Sequence, residues 1–180
     1  EVFSSTTFVG LDYSPNEFTD NSFLSNEFFL ALEKSKSIGK GTGWIPFPII
    51  VKEGGVVVGC MPIFLKEHSY GEYIFDWAWA EAFQRHGLNY YPKLVCAIPF
   101  SPVTGPRILA KNNEVKDLLV KALEKIMHQH KISSCHFLFT NKDDQKILNK
   151  AGWMHRQGVQ FRWENKRYKN FDGFLKTLSH

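Results

Sequence analysis

Cysteine is scarce in this chain. The three that occur, Cys60, Cys96 and Cys135, are odd in number, widely spaced, and each set in an apolar run. That excludes a disulfide framework and reads as buried free thiols in a reducing compartment. Close Cys or His pairs of the kind a zinc site uses are missing. Only His128 and His130 come near, at a poor spacing for a helix, and no metal is expected. No run of about 18 apolar residues is present, so no membrane span is expected. There is no signal-peptide pattern at the start, and the expected setting is cytoplasmic. The chain does not begin with methionine, which reads as a processed or cloned fragment. Lys and Arg number 22 against 18 Asp and Glu. Without a basic block, that mild excess permits an anionic ligand but does not argue for nucleic acid.

What the chain has in quantity is aromatic and apolar area. Hydrophobic residues make up 43% and aromatics 15%, enough for the core of one domain of 180 residues. The densest stretch is 68–83, with seven aromatics (counting His68) around three carboxylates, Glu72, Asp76 and Glu81. Its middle alternates, with Tyr73, Phe75, Trp77 and Trp79 on one side and Ile74, Asp76 and Ala78 on the other. That pattern predicts a strand with Asp76 on its inner face or lining a wet cleft.

Along the chain, Val2, Phe8, Val9 and Leu11 suggest a short first strand. Leu24, Phe28 and Leu32 repeat at four and predict a helix capped from 20–22. A hairpin is predicted from strands 47–52 and 56–65 around Gly54-Gly55, with Pro62 marking a bulge or an exposed edge. A short helix at 80–86 ends at Gly87. A strand follows at 94–98, then a turn-dense loop at 100–109. The clearest helix starts from Asn112 or Asn113 and buries Val115, Leu118, Leu119, Ala122, Leu123 and Ile126. Next come a strand at 135–140, a helix at 142–151 closed by Gly152, and a strand on which Val159, Phe161 and Trp163 alternate with Gln160, Arg162 and Glu164. Phe171, Phe174, Leu175 and Leu178 begin a last helix, whose apolar face needs a cover.

The order of the second half (strand, loop, long helix, strand, Asn141, helix, Gly152-Trp153, strand) resembles the GNAT-type acyltransferase fold. The resemblance implies a mixed α/β (α+β) domain with a mostly antiparallel central sheet flanked by helices. In such folds a loop and helix N-terminus hold a phosphate-bearing acyl donor. Here 104–112 has one glycine and a proline where that fold carries a glycine-rich loop, and cannot present the same row of N–H groups. Further strings start at Asn26 (NEFFLALE), Thr42 (TGW), Met61 (MPIFLK), Ser69 (SYGEYIFDWAWA), Tyr90 (YYPKL) and Pro99 (PFSPVTGPR). Together they resemble the FemAB-like family, linked by name to peptidoglycan biosynthesis. Its members look like paired GNAT-like domains. By that resemblance 1–180 is one GNAT-like domain, the N-terminal part of a longer chain, with 165–180 leading into a second domain.

The resemblance implies amide formation on an amine, an N-acyltransferase or aminoacyltransferase reaction on a small-molecule or peptidoglycan-precursor acceptor. No cofactor would be tightly bound, and the donor would be an aminoacyl-tRNA or an acyl-CoA. Lys34, Lys36, Lys40 and the basic residues Lys166, Arg167 and Lys169 could touch tRNA phosphates. The alternative is a non-catalytic GNAT-like domain that recognises a cell-wall precursor or a partner domain. Such chemistry needs a positioned amine, a proton acceptor and oxyanion stabilisation. Asp76, Glu72 and Glu81 are the candidate bases, with Asp76 foremost and Glu72 also readable as a solvated loop acid, and Tyr70 joins Asp76 and Glu72 as a candidate catalytic residue. Ser69, Tyr70 and Tyr73 form a candidate binding loop, and Trp77 is either core or a stacking platform. Lys93, Thr104 and Arg107, the last held by Gly105-Pro106, are the anion candidates. A Ser-His hydrolase built from Ser69 and His68 is disfavoured, because adjacent residues on an extended chain point apart. The site assignment requires Asp76 and Arg107 to be neighbours.

Overall fold

The computed structural model describes residues 1–74, 76–159, 161 and 163–178. Two four-stranded sheets share the work of the single central sheet expected from sequence. The first is antiparallel, in the order β1 (Val2–Ser4), β3 (Ile49–Glu53), β4 (Val56–Met61), β7 (Leu109–Ala110). The second runs β2 (Trp44–Pro46), β5 (Ile63–Lys66), β6 (Lys93–Cys96), β8 (Cys135–Phe137), with only the β6–β8 pair parallel.

Pro62 is the point where the chain changes sheet. Without an N–H it cannot continue the ladder, so the predicted strand 56–65 divides into β4 and β5. The hairpin turn at Gly54-Gly55 is as expected, with φ of +57° and +85°. The first strand is only Val2–Ser4; Phe8 is instead fully buried against Phe29, Tyr13 and Phe64.

Helix α1 (Asn26–Lys34) is capped by Ser25 rather than from 20–22, where Asn21 caps a separate 3₁₀ turn. Helix α3 (Asn113–His130) fits its prediction: the Asn112 side chain accepts from Val115 N, and Val115, Leu119 and Leu123 are buried. Leu118 is 44% exposed, so the packed face is narrower than its sequence suggests. Helix α4 (Lys142–Lys150) is capped by Asn141, and a short helix α5 (Phe171–Leu175) is capped by Asn170.

The largest departure is at 68–83. The expected strand does not form. The chain loops through 67–74 and enters helix α2 at Trp77 (Trp77–Arg85), three residues earlier than predicted. Phe75 lies outside the described residues. Aromatics at every second position mimicked a strand, but Trp77 and Trp79 stand on a helix, 44% and 51% exposed, and neither is core. None of the residues of α2 is buried. The last predicted strand is also not formed in the described residues: Val159, Phe161 and Trp163 are 84%, 95% and 63% exposed, and Gln160 and Arg162 lie outside the described residues. Among the described residues no helix is long and apolar enough to cross a membrane.

Candidate functional site

Sheet register sets up the site. Trp44 pairs with Lys66, and Lys66 pairs with Lys93, across β2, β5 and β6. Side chains alternate along a strand, so Lys66 shares a face with Phe64, and Lys93 with Val95 and Ala97. On β8, Val95 pairs with His136 on that same face. Two lysines directly opposite one another repel, and both are fully buried. Something anionic must lie between them.

Residues before and at the start of α2 supply it. Lys93 Nζ donates to Glu72 Oε2 at 2.8 Å, to Asp76 Oδ2 at 2.5 Å and to Ser69 Oγ at 2.8 Å. Lys66 Nζ lies 3.9 Å from Glu72 Oε1, donates to the Tyr70 carbonyl at 3.2 Å and sits 3.7 Å from the Trp44 ring centre. Trp44 Nε1 also donates to Tyr70 O, at 3.0 Å, so two buried donors hold one carbonyl of the loop. Tyr91 Oη shares a hydrogen bond of 2.8 Å with Ser69 Oγ. Tyr90 Oη donates to Asp76 Oδ2 at 2.6 Å and lies 3.2 Å from His136 Nε2, whose side chain is 24% exposed.

Burial and pairing set the charges. Burial, offset in part by Glu72, lowers the Lys66 pKa to about 7. Burial raises Glu72 despite the hydrogen bond from Lys93. Burial alone would raise Asp76 too, but the donors Lys93, Ser69 and Tyr90 hold it below the usual carboxylate value. Burial and the Lys93 charge lower His136 to about 4, leaving it neutral at neutral pH. Glu72 Oε1 and Asp76 Oδ1 are buried without a hydrogen-bond donor. Such an oxygen costs free energy until it finds one.

Glu72, Asp76 and His136 bring potential metal-ligand atoms within 4.8 Å of one another. The Lys93 ammonium already bonds both carboxylates. A divalent ion would have to displace it and would add charge to a nearly balanced buried cluster.

The structure thus gathers Ser69, Glu72, Asp76 and Lys93 into one network, and places Tyr70, Tyr73 and Trp77 outside it as exposed rings. Glu72 is 2% exposed and is no solvated loop acid. Glu81 stays at the surface, paired with Arg85. Arg107 does not join. Its guanidinium is buried and donates to the carbonyls of Leu138, Val103 and Pro106, pinning the 99–107 loop. Thr104 is exposed, and Gly105 bridges to Thr140. Asp76 pairs with Lys93, and no hydrogen bond or ion pair links it to Arg107. The neighbour that 99–107 does supply is Phe100, whose ring lies against Gly71 and Trp44. Lys66, Tyr90 and Tyr91 escaped sequence reasoning. The tyrosines and Lys66 looked like parts of family strings, Lys66 just beyond the end of the predicted strand 56–65.

The turn that precedes α3 bears on the donor. Only Lys111 and Asn112 separate β7 from α3; Lys111 pairs with Glu53, and Asn112 fills its own helix cap.

The fold is that of the GNAT-type acyltransferases. Similar solved structures include the aminoglycoside N-acetyltransferase AAC(6')-Iy with a bisubstrate analogue, CoA-S-monomethyl-acetylneamine (TM-score 0.54, 11% identity, covering 92% of this chain and 97% of that one). The same enzyme with CoA matches at TM-score 0.53 and 11% identity, over 91% and 93% of the two chains. The 6'-N-acetyltransferase AAC(6')-Ig from Acinetobacter haemolyticus matches at 0.51 and 8% identity, over 92% and 98%. Within that fold the sequence is specific: residues 10–180 match the FemAB-like family model, described as peptidoglycan biosynthesis/recognition, and the chain belongs to this family. No curated protein matches it in sequence.

Proposed function

We propose that the chain is an N-acyltransferase or aminoacyltransferase domain that forms an amide on an amine of a peptidoglycan-related acceptor in the cytoplasm. The observation that carries this reading is the pair of buried carboxylate oxygens, Asp76 Oδ1 and Glu72 Oε1, that have no donor. An acceptor amine supplies the missing N–H groups. In the proposed reaction Asp76, kept ionised by Lys93, Ser69 and Tyr90, orients the amine. Glu72, with its raised pKa, is better matched to take the proton as nitrogen attacks the acyl carbonyl and later return it to the leaving group. Tyr70, Tyr73 and Trp77 contact the acceptor. The two-residue turn before α3 favours an aminoacyl ester over acyl-CoA as donor. Phe171 and Leu178 are 68% and 51% exposed, which supports the proposal that 165–180 leads into a second unit.

A specific observation favours a second reading, a binding domain without turnover: Glu72, Asp76 and Lys93 are all closed to solvent. Catalysis requires the segment that carries Ser69 and Glu72 to lift. The deciding experiment incubates the protein with aminoacyl-tRNA or acyl-CoA and a panel of amines, following amide formation by mass spectrometry. Turnover is expected with the aminoacyl donor. Asp76→Asn and Glu72→Gln should each reduce it by about 10²-fold or more while the folded circular-dichroism spectrum is kept. Silence in every pairing sinks the transferase reading and leaves the binding domain.

A further inference from the structure

Beyond Trp153 the chain leaves both cores. The Trp153 ring packs on Phe137 at 5.1 Å and its indole N–H donates to Glu124. No described residue after it belongs to either apolar cluster. The segment 154–169 is nevertheless no polar linker. Met154, Val159, Phe161 and Trp163 are 90%, 84%, 95% and 63% exposed. A single exposed apolar residue is ordinary. A run of large ones in one short segment, none of them serving the core, marks a surface that meets something apolar. One end of the run is seated. The Trp163 ring lies 6.2 Å from Phe174 at 82° and 6.4 Å from Tyr168, and Tyr168 lies 5.4 Å from Phe174.

Charge narrows the partner. In sequence the segment holds five Lys or Arg, and Glu164 is its one carboxylate. Asp172, the next, lies on α5 with Lys176 just beyond that helix. Arg156, Lys166, Arg167 and Lys169 are exposed, and none of the ion pairs among the described residues engages them. By contrast Lys52, Lys111, Lys146 and Lys150 each pair with a carboxylate of the protein.

Unneutralised cations beside exposed rings call for an anionic partner with apolar depth. A second copy of this chain presents the same positive charge and is repelled. A single-stranded nucleic acid offers phosphates, and base faces for Phe161 and Trp163. It offers nothing to Met154 and Val159, which are aliphatic and almost wholly exposed. A bilayer with anionic headgroups suits them all. Aliphatic and phenyl groups enter the acyl boundary, an indole sits at headgroup level, and Lys and Arg face the phosphates.

We infer that 154–169 is a peripheral docking surface for an anionic lipid bilayer. The inference is independent of the acid–lysine network and of the transferase reading, and the surface ends before the Phe171–Leu178 face assigned to a second unit. A weak apolar insertion or a basic cluster alone holds a protein poorly on a bilayer; the two together hold it.

The test sediments the protein with vesicles of phosphatidylcholine alone and of phosphatidylcholine with about 30% phosphatidylglycerol, which supplies the anionic surface. A parallel arm offers a single-stranded RNA oligonucleotide. The protein should bind the anionic vesicles and not the neutral ones, and added salt should weaken that binding. Lys166→Gln combined with Arg167→Gln should weaken it about tenfold or more. Met154→Ser combined with Phe161→Ser, at positions too exposed to matter for folding, should weaken it about tenfold. Trp79→Ala, 51% exposed on α2 and outside the segment, should bind as the wild type does. All variants should keep the wild-type circular-dichroism spectrum. Absence of binding to the anionic vesicles overturns the inference, whether or not the RNA binds. So does equal binding to neutral vesicles, undiminished binding by either double variant, or an equal loss in Trp79→Ala.

Discussion

At the residue scale the molecule is governed by two buried lysines on adjacent strands. Their environments differ: Lys93 has two carboxylates and a hydroxyl, whereas Lys66 has one distant carboxylate, one carbonyl and an indole face. Burial therefore lowers the Lys66 pKa to about 7, below its unfolded value of about 10.4. Between those two values the unfolded chain binds the proton and the folded one does not. Stability must then rise with pH across that window, and the full penalty is present below pH 7. Thermal melts of wild type and Lys66→Met at pH 6, 8 and 9.5 test this. The wild type should gain on the variant at each step up. A constant difference would show that Lys66 keeps its proton throughout.

None of this pairing was legible locally. Glu72 looked like a solvated loop acid because its partner Lys93 is 21 residues away. Asp76 drew attention as a carboxylate amid aromatics, but the reason for its burial is Lys93 and Tyr90, not the expected Arg107. Residue types reveal that a carboxylate is out of place; they do not reveal which distant cation closes over it.

At the scale of elements, periodicity succeeded where a single face decides burial. Helix α3 was readable because Val115, Leu119 and Leu123 recur at four and Asn112 sits before them. Periodicity failed at 73–79, where aromatics at every second position also fit the start of a helix whose rings face solvent. Pro62 was recognised as disruptive, yet whether it bends a strand or hands the chain to a second sheet depends on partners elsewhere. The loop before α2 makes its own prediction. Gly71 holds φ +79°, and an added Cβ would lie 2.7 Å from Phe100 Cδ1 and 3.2 Å from Trp44 Nε1. Gly10 holds a similar φ of +70° with nothing within 4 Å. Gly10→Ala should therefore cost only the backbone term, about 1–2 kcal/mol. Gly71→Ala should cost more and also disturb the Trp44–Tyr70 hydrogen bond. Urea melts compare the costs, and a Trp fluorescence shift confined to Gly71→Ala reports the disturbance. Equal costs with no shift would mean that the loop is not seated on the Phe100–Trp44 pair.

At the scale of the whole molecule the question is what joins two sheets that the sequence suggested were one. Pro62 links them covalently, and the segment before β7 links them again on the other side. Gly105 bridges to Thr140 just beyond β8, and the Arg107 guanidinium reaches the Leu138 carbonyl. Asp144, at the start of α4, accepts from Arg107 N at 2.5 Å and Ile108 N at 3.2 Å through one buried oxygen. Its carboxylate thus ties the helix after β8 to the strand that completes the other sheet. Removing it leaves two buried N–H groups without an acceptor, at a cost of roughly 1–3 kcal/mol for each orphaned group. Asp144→Ala should therefore lose about 3 kcal/mol in urea unfolding. Asp144→Asn, which keeps an acceptor oxygen, should lose clearly less. Because the tie spans both sheets, the transition should stay single with an unchanged m-value. Two transitions in Asp144→Ala, one per sheet, would show instead that the sheets are separate folding units held together mainly by Pro62 and the apolar core.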